Sequence, residues 1–222
     1  MPSSFFVAWC QLSHSRVKLT VAAAGVVVAV MLLLVQLGIR QGAMDNSVAV
    51  ARRVTADLVV VSPRTKTIFA SAQFPRRLLY RLGSHPDVTV ISEMYMGQGR
   101  LRNPWNKLEF PVSLYGLDPG SAMMNLPGIE KYESQLNDID RVLYDGLSRK
   151  NYGPIRQYLE THDTLDVEVN FRKVRIVDSI EVGISINTDG NLFTSNANFL
   201  RLFPDRNPGA VDLGLIRLKP DA

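Results

Sequence analysis

The chain has 222 residues, 46% of them hydrophobic and 21% charged, with a formal net charge of +4. These are globular proportions and exclude a disordered tail; the basic residues are scattered and not interleaved with aromatics, which excludes a nucleic-acid-binding stripe and fits a mildly basic surface beside anionic headgroups. The single cysteine, Cys10, excludes an intramolecular disulfide, so the fold must rest on its core.

Residues 1–18 carry Phe5, Phe6, Trp9 and Leu12, and Trp9 suits the headgroup level of a bilayer. This predicts a short interfacial helix from Ser4, its N-cap. Leu19 to Ile39 then runs without a charge between Lys18 and Arg40. As a helix it is about 31 Å long, the thickness of a hydrocarbon core. Thr20 and Gln36, its strongly polar side chains, sit near its ends, and Gly25 with Ala29 forms a small pair that admits a close helix neighbour. A cleaved signal peptide has a shorter apolar region and a small-residue cleavage site, which Arg40-Gln41-Gly42-Ala43 does not supply. Arg16 and Lys18 before the span balance Arg40, Arg52 and Arg53 after it, so charge alone gives no orientation.

Past the span, residues 40–55 are expected to continue as a helical stalk to about Val54, with Met44, Val48, Ala51 and Thr55 on one stripe. Residues 56–222 then read as one mixed α+β domain rich in hairpins. The run from Ala56 to Val61 reads as a buried strand stopped by Ser62-Pro63. Pro75 opens a helix whose apolar side is Leu78, Leu79 and Leu82, with Gly83 as C-cap. Val88, Val90, Met94 and Met96 alternate with polar partners, as do Leu108, Phe110, Val112 and Leu114; turn chemistry at Asn103-Pro104-Trp105-Asn106 joins them into a hairpin with one apolar face. By this alternation Phe110 is a core residue.

Ile139, Val142 and Leu143 begin a strand ending at Asp145, and Leu147 to Leu159 is partly helical, interrupted at Gly153-Pro154. Val167 and Val169 face Val174 and Ile176 in a second hairpin turning at Asn170-Phe171; Phe resists φ > 0, so a wider loop is expected there. Phe171 is then either a contact for a partner or a tip residue folded onto the sheet. Asp189-Gly190 is a further turn. Thr194 or Ser195 caps a helix carrying Phe199, Leu200 and Leu202, stopped by Pro204, and Leu213, Leu215, Ile216 and Leu218 form a final strand.

No phosphate cradle of the Gly-Lys-Ser/Thr type and no Gly-x-Ser-x-Gly elbow is present. The three histidines, His14, His85 and His162, lie on separate segments without metal-ligand spacing. His162-Asp163 with Asp166 is the best acid–histidine cluster and reads as a solvated turn. Asp189-Gly190-Asn191 resembles part of a calcium loop but lacks the remaining ligands. Tyr95-Met96 and Met123-Met124 read as core or interface filler. The sequence offers no catalytic, cofactor-binding or metal-binding residues, and the expectation is a protein that is not an enzyme.

A set of segments in order carries a resemblance: Trp9-x-Gln11-Leu12 and Gln36-Leu37-Gly38 around the span, Phe74-Pro75-Arg76-Arg77 with Leu79-Tyr80, Asn125-Leu126-Pro127-Gly128, Tyr152-Gly153-Pro154-Ile155, Asp189-Gly190-Asn191-Leu192, and Asn198-Phe199-Leu200-Arg201-Leu202-Phe203-Pro204. Together they resemble DevC-type permeases, the membrane subunits of MacB-like ABC exporters. The resemblance implies a cytoplasmic N-terminus, one pass through the inner membrane at residues 19–39, and a MacB-like periplasmic core domain. It also implies a homodimer and, as partners, a separate ABC ATPase, a periplasmic membrane-fusion protein, an outer-membrane exit duct and membrane lipid, with glycolipid-like substrates. Complete family members carry three further spans, so the chain reads as a truncated permease or fragment whose core domain is incomplete at its C-terminal end. The alternatives are an anchored periplasmic binding or adaptor module without transport activity, and an anchored hydrolase.

Overall fold

The computed structural model describes residues 16–47, 50–66, 72–183 and 188–220; the interfacial helix expected from Ser4 and the side chains of Met44 and Val48 lie outside the described residues. The chain divides into two compact units, Met1–Asp45 and Asn46–Ala222.

The first unit is the greater part of helix α1, Arg16–Ser47. Its segment Arg16–Arg40 is long and apolar enough to cross a membrane, and none of its side chains is buried by protein. Such a surface, with Leu32, Leu33 and Leu34 all open, is stable in hydrocarbon because the helix satisfies its own backbone groups. Near one end the Thr20 hydroxyl donates to the Arg16 carbonyl at 2.8 Å, which satisfies a polar group without a partner helix. The helix ends at Ser47, short of the expected Val54: residues Ala51–Arg53 form a 3-10 turn, and Val54 instead bridges Met124.

The second unit is α+β. Its strands are β1 (Leu58–Val61), β2 (Phe74–Pro75), β3 (Val88–Arg102), β4 (Glu109–Leu117), β5 (Arg141–Asp145), β6 (Leu165–Val169), β7 (Arg172–Ile180), β8 (Asn191–Ser195), β9 (Ala210–Val211) and β10 (Leu213–Leu218). The helices are α2 (Arg76–Leu82), α3 (Glu133–Asn137), α4 (Ile155–Leu159) and α5 (Asn196–Leu202). The main sheet runs β1-β10-β3-β4-β8-β5-β7-β6, and β6 also pairs with β3. Six strands from β3 round to β6 thus close into a ring, and β10 and β1 extend from the first half of β3. Ring closure rests on two residue pairs, Leu101 with Val169 and Arg102 with Glu168.

Both faces of the central strands are buried. On β4, Val112 and Leu114 enter one apolar cluster while Tyr115 and Leu117 enter the other; on β5, Val142 and Tyr144 face the first and Leu143 the second. The first cluster is covered by Leu79 of α2, Ile155 of α4, and Phe199 and Leu202 of α5; the second by Met123, Met124, Leu126, Ile129 and Leu136. The hairpin expected to have one apolar face therefore has two over its inner half, which is why β4 is buried continuously from Val112 to Leu117. Close approach of α5 requires Gly116, where a Cβ would stand 2.6 Å from the Phe199 Cβ.

Three local expectations are corrected. β1 is the sheet's edge and not a buried strand: Leu58, Val59 and Val61 are 51%, 48% and 45% exposed because β10 is the strand's one partner. Phe110 sits only partly buried at the rim of the first cluster, edge-on to Tyr152 at 6.0 Å. In α2 only Leu79 is buried, while Leu78 and Leu82 are exposed.

Leu101 is fully buried at the ring closure. Leu101→Ala should cost about 2–5 kcal/mol, and Phe110→Ala clearly less. Urea unfolding of a version of the chain beginning at Asn46 measures both; equal losses would contradict the assignment of Phe110 to the rim.

Candidate functional site

His162 and Asp166 of the acid–histidine cluster take other partners. The His162 ring stacks on Tyr158, 4.0 Å between centroids, with Nδ1 2.8 Å from the Thr161 hydroxyl. Asp166 pairs instead with Arg175 at 2.9 Å and Lys173 at 2.8 Å. The hydrogen bond from Arg175, with that from Lys173, holds its carboxyl below the ordinary value of 3.8. The calcium-like triplet is likewise occupied by protein: Asp189 accepts from Asn151 at 2.7 Å and pairs with Arg149 at 3.2 Å, and the Asn191 amide donates to Asp145 and to the Gly183 carbonyl. Among the described residues, no three His, Cys, Asp or Glu side chains converge as metal ligands.

A polar cleft of about 270 Å³ lies between α2, the first half of β3 and the start of α5. Its centre is Glu93, a buried carboxylate. Arg76 pairs with Oε1, which also accepts from the Tyr80 hydroxyl at 2.8 Å, and Oε2 accepts from the Tyr95 hydroxyl at 3.3 Å. Burial, then the neighbouring Glu93 charge, pushes the Tyr95 phenol up to about 12. An arginine and two phenol donors already occupy this carboxylate. The arrangement docks α2 onto β3.

Three further buried polar groups act the same way. Asp145, with no exposed surface, accepts from the backbone of Leu147, Val182 and Gly183 and from Asn191, tying the ends of β5, β7 and β8 together. Asp212, equally buried, accepts from the Met96 backbone at 2.8 Å and pairs with Arg206, whose guanidinium also reaches the Met96 carbonyl and lies over Phe199 and Phe203. Asn198 donates to the Leu136 and Asp138 carbonyls and accepts from the Asp140 amide. Asp140, held at φ 58°, in turn binds Arg172 and Arg201.

The segments behind the family resemblance map onto these anchors: Arg76 and Tyr80 on Glu93, Asn191 on Asp145, Asn198 on Asp140. Tyr152, fully buried, donates to the Pro111 carbonyl at 2.5 Å, and Gly153 (φ 93°) lies under Trp105. Glu93 and Asp212 stand outside the candidates the sequence offers, and Asp145 enters there only as a strand end. Each is a lone carboxylate within or at the end of an apolar run, a placement that requires buried donors.

The described chain is thus a helix suited to a membrane followed by an α+β domain whose interior polar groups serve its architecture. No protein-family model matches the chain, and no curated protein sequence matches it. Among solved structures, it is similar to the periplasmic region of MacB from Actinobacillus actinomycetemcomitans, with 15% identity, a TM-score of 0.48 and coverage of 74% of each chain. It is also similar to the extracellular domain of the noncanonic ABC-type transporter YknZ from Gram-positive bacteria, with 10% identity, a TM-score of 0.46 and coverage of 73% of this chain and 83% of that one.

Hydrogen bonds from Arg172 and Arg201 hold the Asp140 carboxyl below its ordinary 3.8 in the folded protein. Its contribution is therefore complete above that value and is lost as the pH falls through the lowered one. Asp140→Asn, which tolerates the same backbone conformation, should lower the unfolding midpoint at neutral pH. The gap to the natural chain should close on acidification towards about pH 2; a gap that persists there would contradict the ion-pair assignment.

Proposed function

We propose that the chain is the N-terminal half of the permease subunit of an ABC-type exporter. Its helix α1 anchors it in the inner membrane with the N-terminus cytoplasmic, and its α+β domain stands on the periplasmic side. A separate ATPase supplies the energy, and the domain receives the resulting motion and passes it to a periplasmic membrane-fusion protein and an outer-membrane exit duct. The cargo in this reading is a lipid or glycolipid-like molecule, and the working unit holds two copies of the chain.

The observation that carries the reading is the ordered series of permease-like segments from Trp9 to Pro204, which brackets the span and continues through the domain. The anchoring residues support it. A domain held at several points by buried polar groups moves as a body, and a rigid body is what mechanical coupling needs. In this account the chain neither binds nor hydrolyses nucleotide.

Alkaline phosphatase fused after Ala222 should be active, and a cytoplasmic reporter at the same position silent. The opposite pattern, or saturable ATP binding by the purified chain at micromolar concentration, would contradict the proposal.

A further inference from the structure

The turn between β6 and β7 consists of Asn170 and Phe171 alone, with φ 50° and 61°. This overturns the wider loop expected from the sequence. Asn tolerates this left-handed region, but in a Phe it brings Cβ too close to the following carbonyl oxygen. The conformation is imposed by Asn170. Its Oδ1 accepts from the Arg100 amide at 2.9 Å, its Nδ2 donates to the Leu202 carbonyl at 3.1 Å, and its own amide donates to the Arg100 carbonyl at 3.0 Å. Gly99 makes the room: a Cβ there would lie 2.7 Å from the Asn170 Oδ1. The turn is bolted to β3 and to the end of α5.

The bolted turn holds Phe171 out into solvent, 87% exposed, which excludes a tip folded onto the sheet. Neither packing nor backbone preference accounts for the residue. A strained, rigidly presented and solvent-facing aromatic is the profile of an interface anchor, since its ordering cost is already met before binding. Phe171 is also the ridge between two clefts, of about 490 and 340 Å³.

The charges around the ridge have a sense. Arg100 is 73% exposed against 35% for its partner Glu109, and Lys173 75% against 37% for Asp166. Arg102 is likewise more exposed than Glu168. In each of these ion pairs the cation is the more exposed partner, so the tip presents an aromatic beside cations whose carboxylate partners, Glu109, Glu168 and Asp166, are less exposed.

We infer that the β6–β7 tip is a docking knob for a partner protein that offers an apolar pocket to Phe171, acidic groups to Arg100, Arg102 and Lys173, and ridges that fill the two clefts. An anionic bilayer would also meet an aromatic beside cations, but a flat surface leaves both clefts empty. This inference stands whether or not the exporter reading holds.

The test uses the full chain in intact cells, with the photo-cross-linker p-benzoylphenylalanine in place of Phe171 and, as control, of Ile139, which is also exposed. The expected result is a discrete protein adduct from position 171 alone, mapped on the partner to an apolar pocket with an acidic rim. The adduct should fall about tenfold when Arg100→Glu and Lys173→Glu are combined. Phe171→Asn should keep or raise the thermal midpoint while removing the partner from the purified complex. An adduct with phospholipid or with a second copy of this chain, an adduct shared with position 139, one insensitive to charge reversal, or none at all would overturn the inference. So would a drop in midpoint with Phe171→Asn, because Phe171 would then be serving the fold.

Discussion

The second unit depends on strand β3. Its first half pairs with β10, its second half with β4, and its last two residues also with β6. One strand therefore belongs both to the outer extension and to the closed ring. Closing a ring removes two sheet edges, which are otherwise open rows of hydrogen-bonding groups. Among the described strands, β1, four residues long, lies at the end of the main sheet. Because ring closure joins residues far apart in sequence, it carries a large loop-closure cost that apolar burial on both faces of the ring must offset.

Burial on both faces has a second consequence. Strand ends that would otherwise reach water finish inside the protein, and their polar groups need partners there. Asp145, Asp212, Asn198 and Glu93 meet that need at four separate places. Each binds elements distant in sequence, so each also fixes register. A carboxylate that fully accepts backbone and side-chain donors is costly to remove and of little use as an acid or base, which turns attention from the interior to the surface. There a strained aromatic stands at a turn locked to the ring.

Much of the architecture was legible in the residues. The uncharged run from Leu19 to Ile39 announced α1, alternation announced the β3–β4 and β6–β7 hairpins, and Ser195, whose hydroxyl accepts from the Asn198 amide, announced α5. What failed was non-local. The run Leu58–Val61 looked like a core strand, since composition cannot tell an edge from a centre. Strand β8 was missed because Asn191–Ser195 is short and buried on both sides, leaving no alternation to read. The tight turn at Asn170-Phe171 was missed because the force that imposes it comes from Arg100 and Leu202, distant in sequence. The buried carboxylates were visible as charges in apolar runs, but their partners were not.

The central claim is that ring closure and the Asn170 bolt make one rigid body that presents the tip. Native-state hydrogen exchange at the Arg100 and Asn170 amides tests it most directly, because both donate across this junction. The account predicts that both exchange only through the global unfolding reaction, with the same denaturant dependence as the central amides of β4. Exchange of either through a local opening of the β6–β7 hairpin, while β4 stays protected, would contradict it.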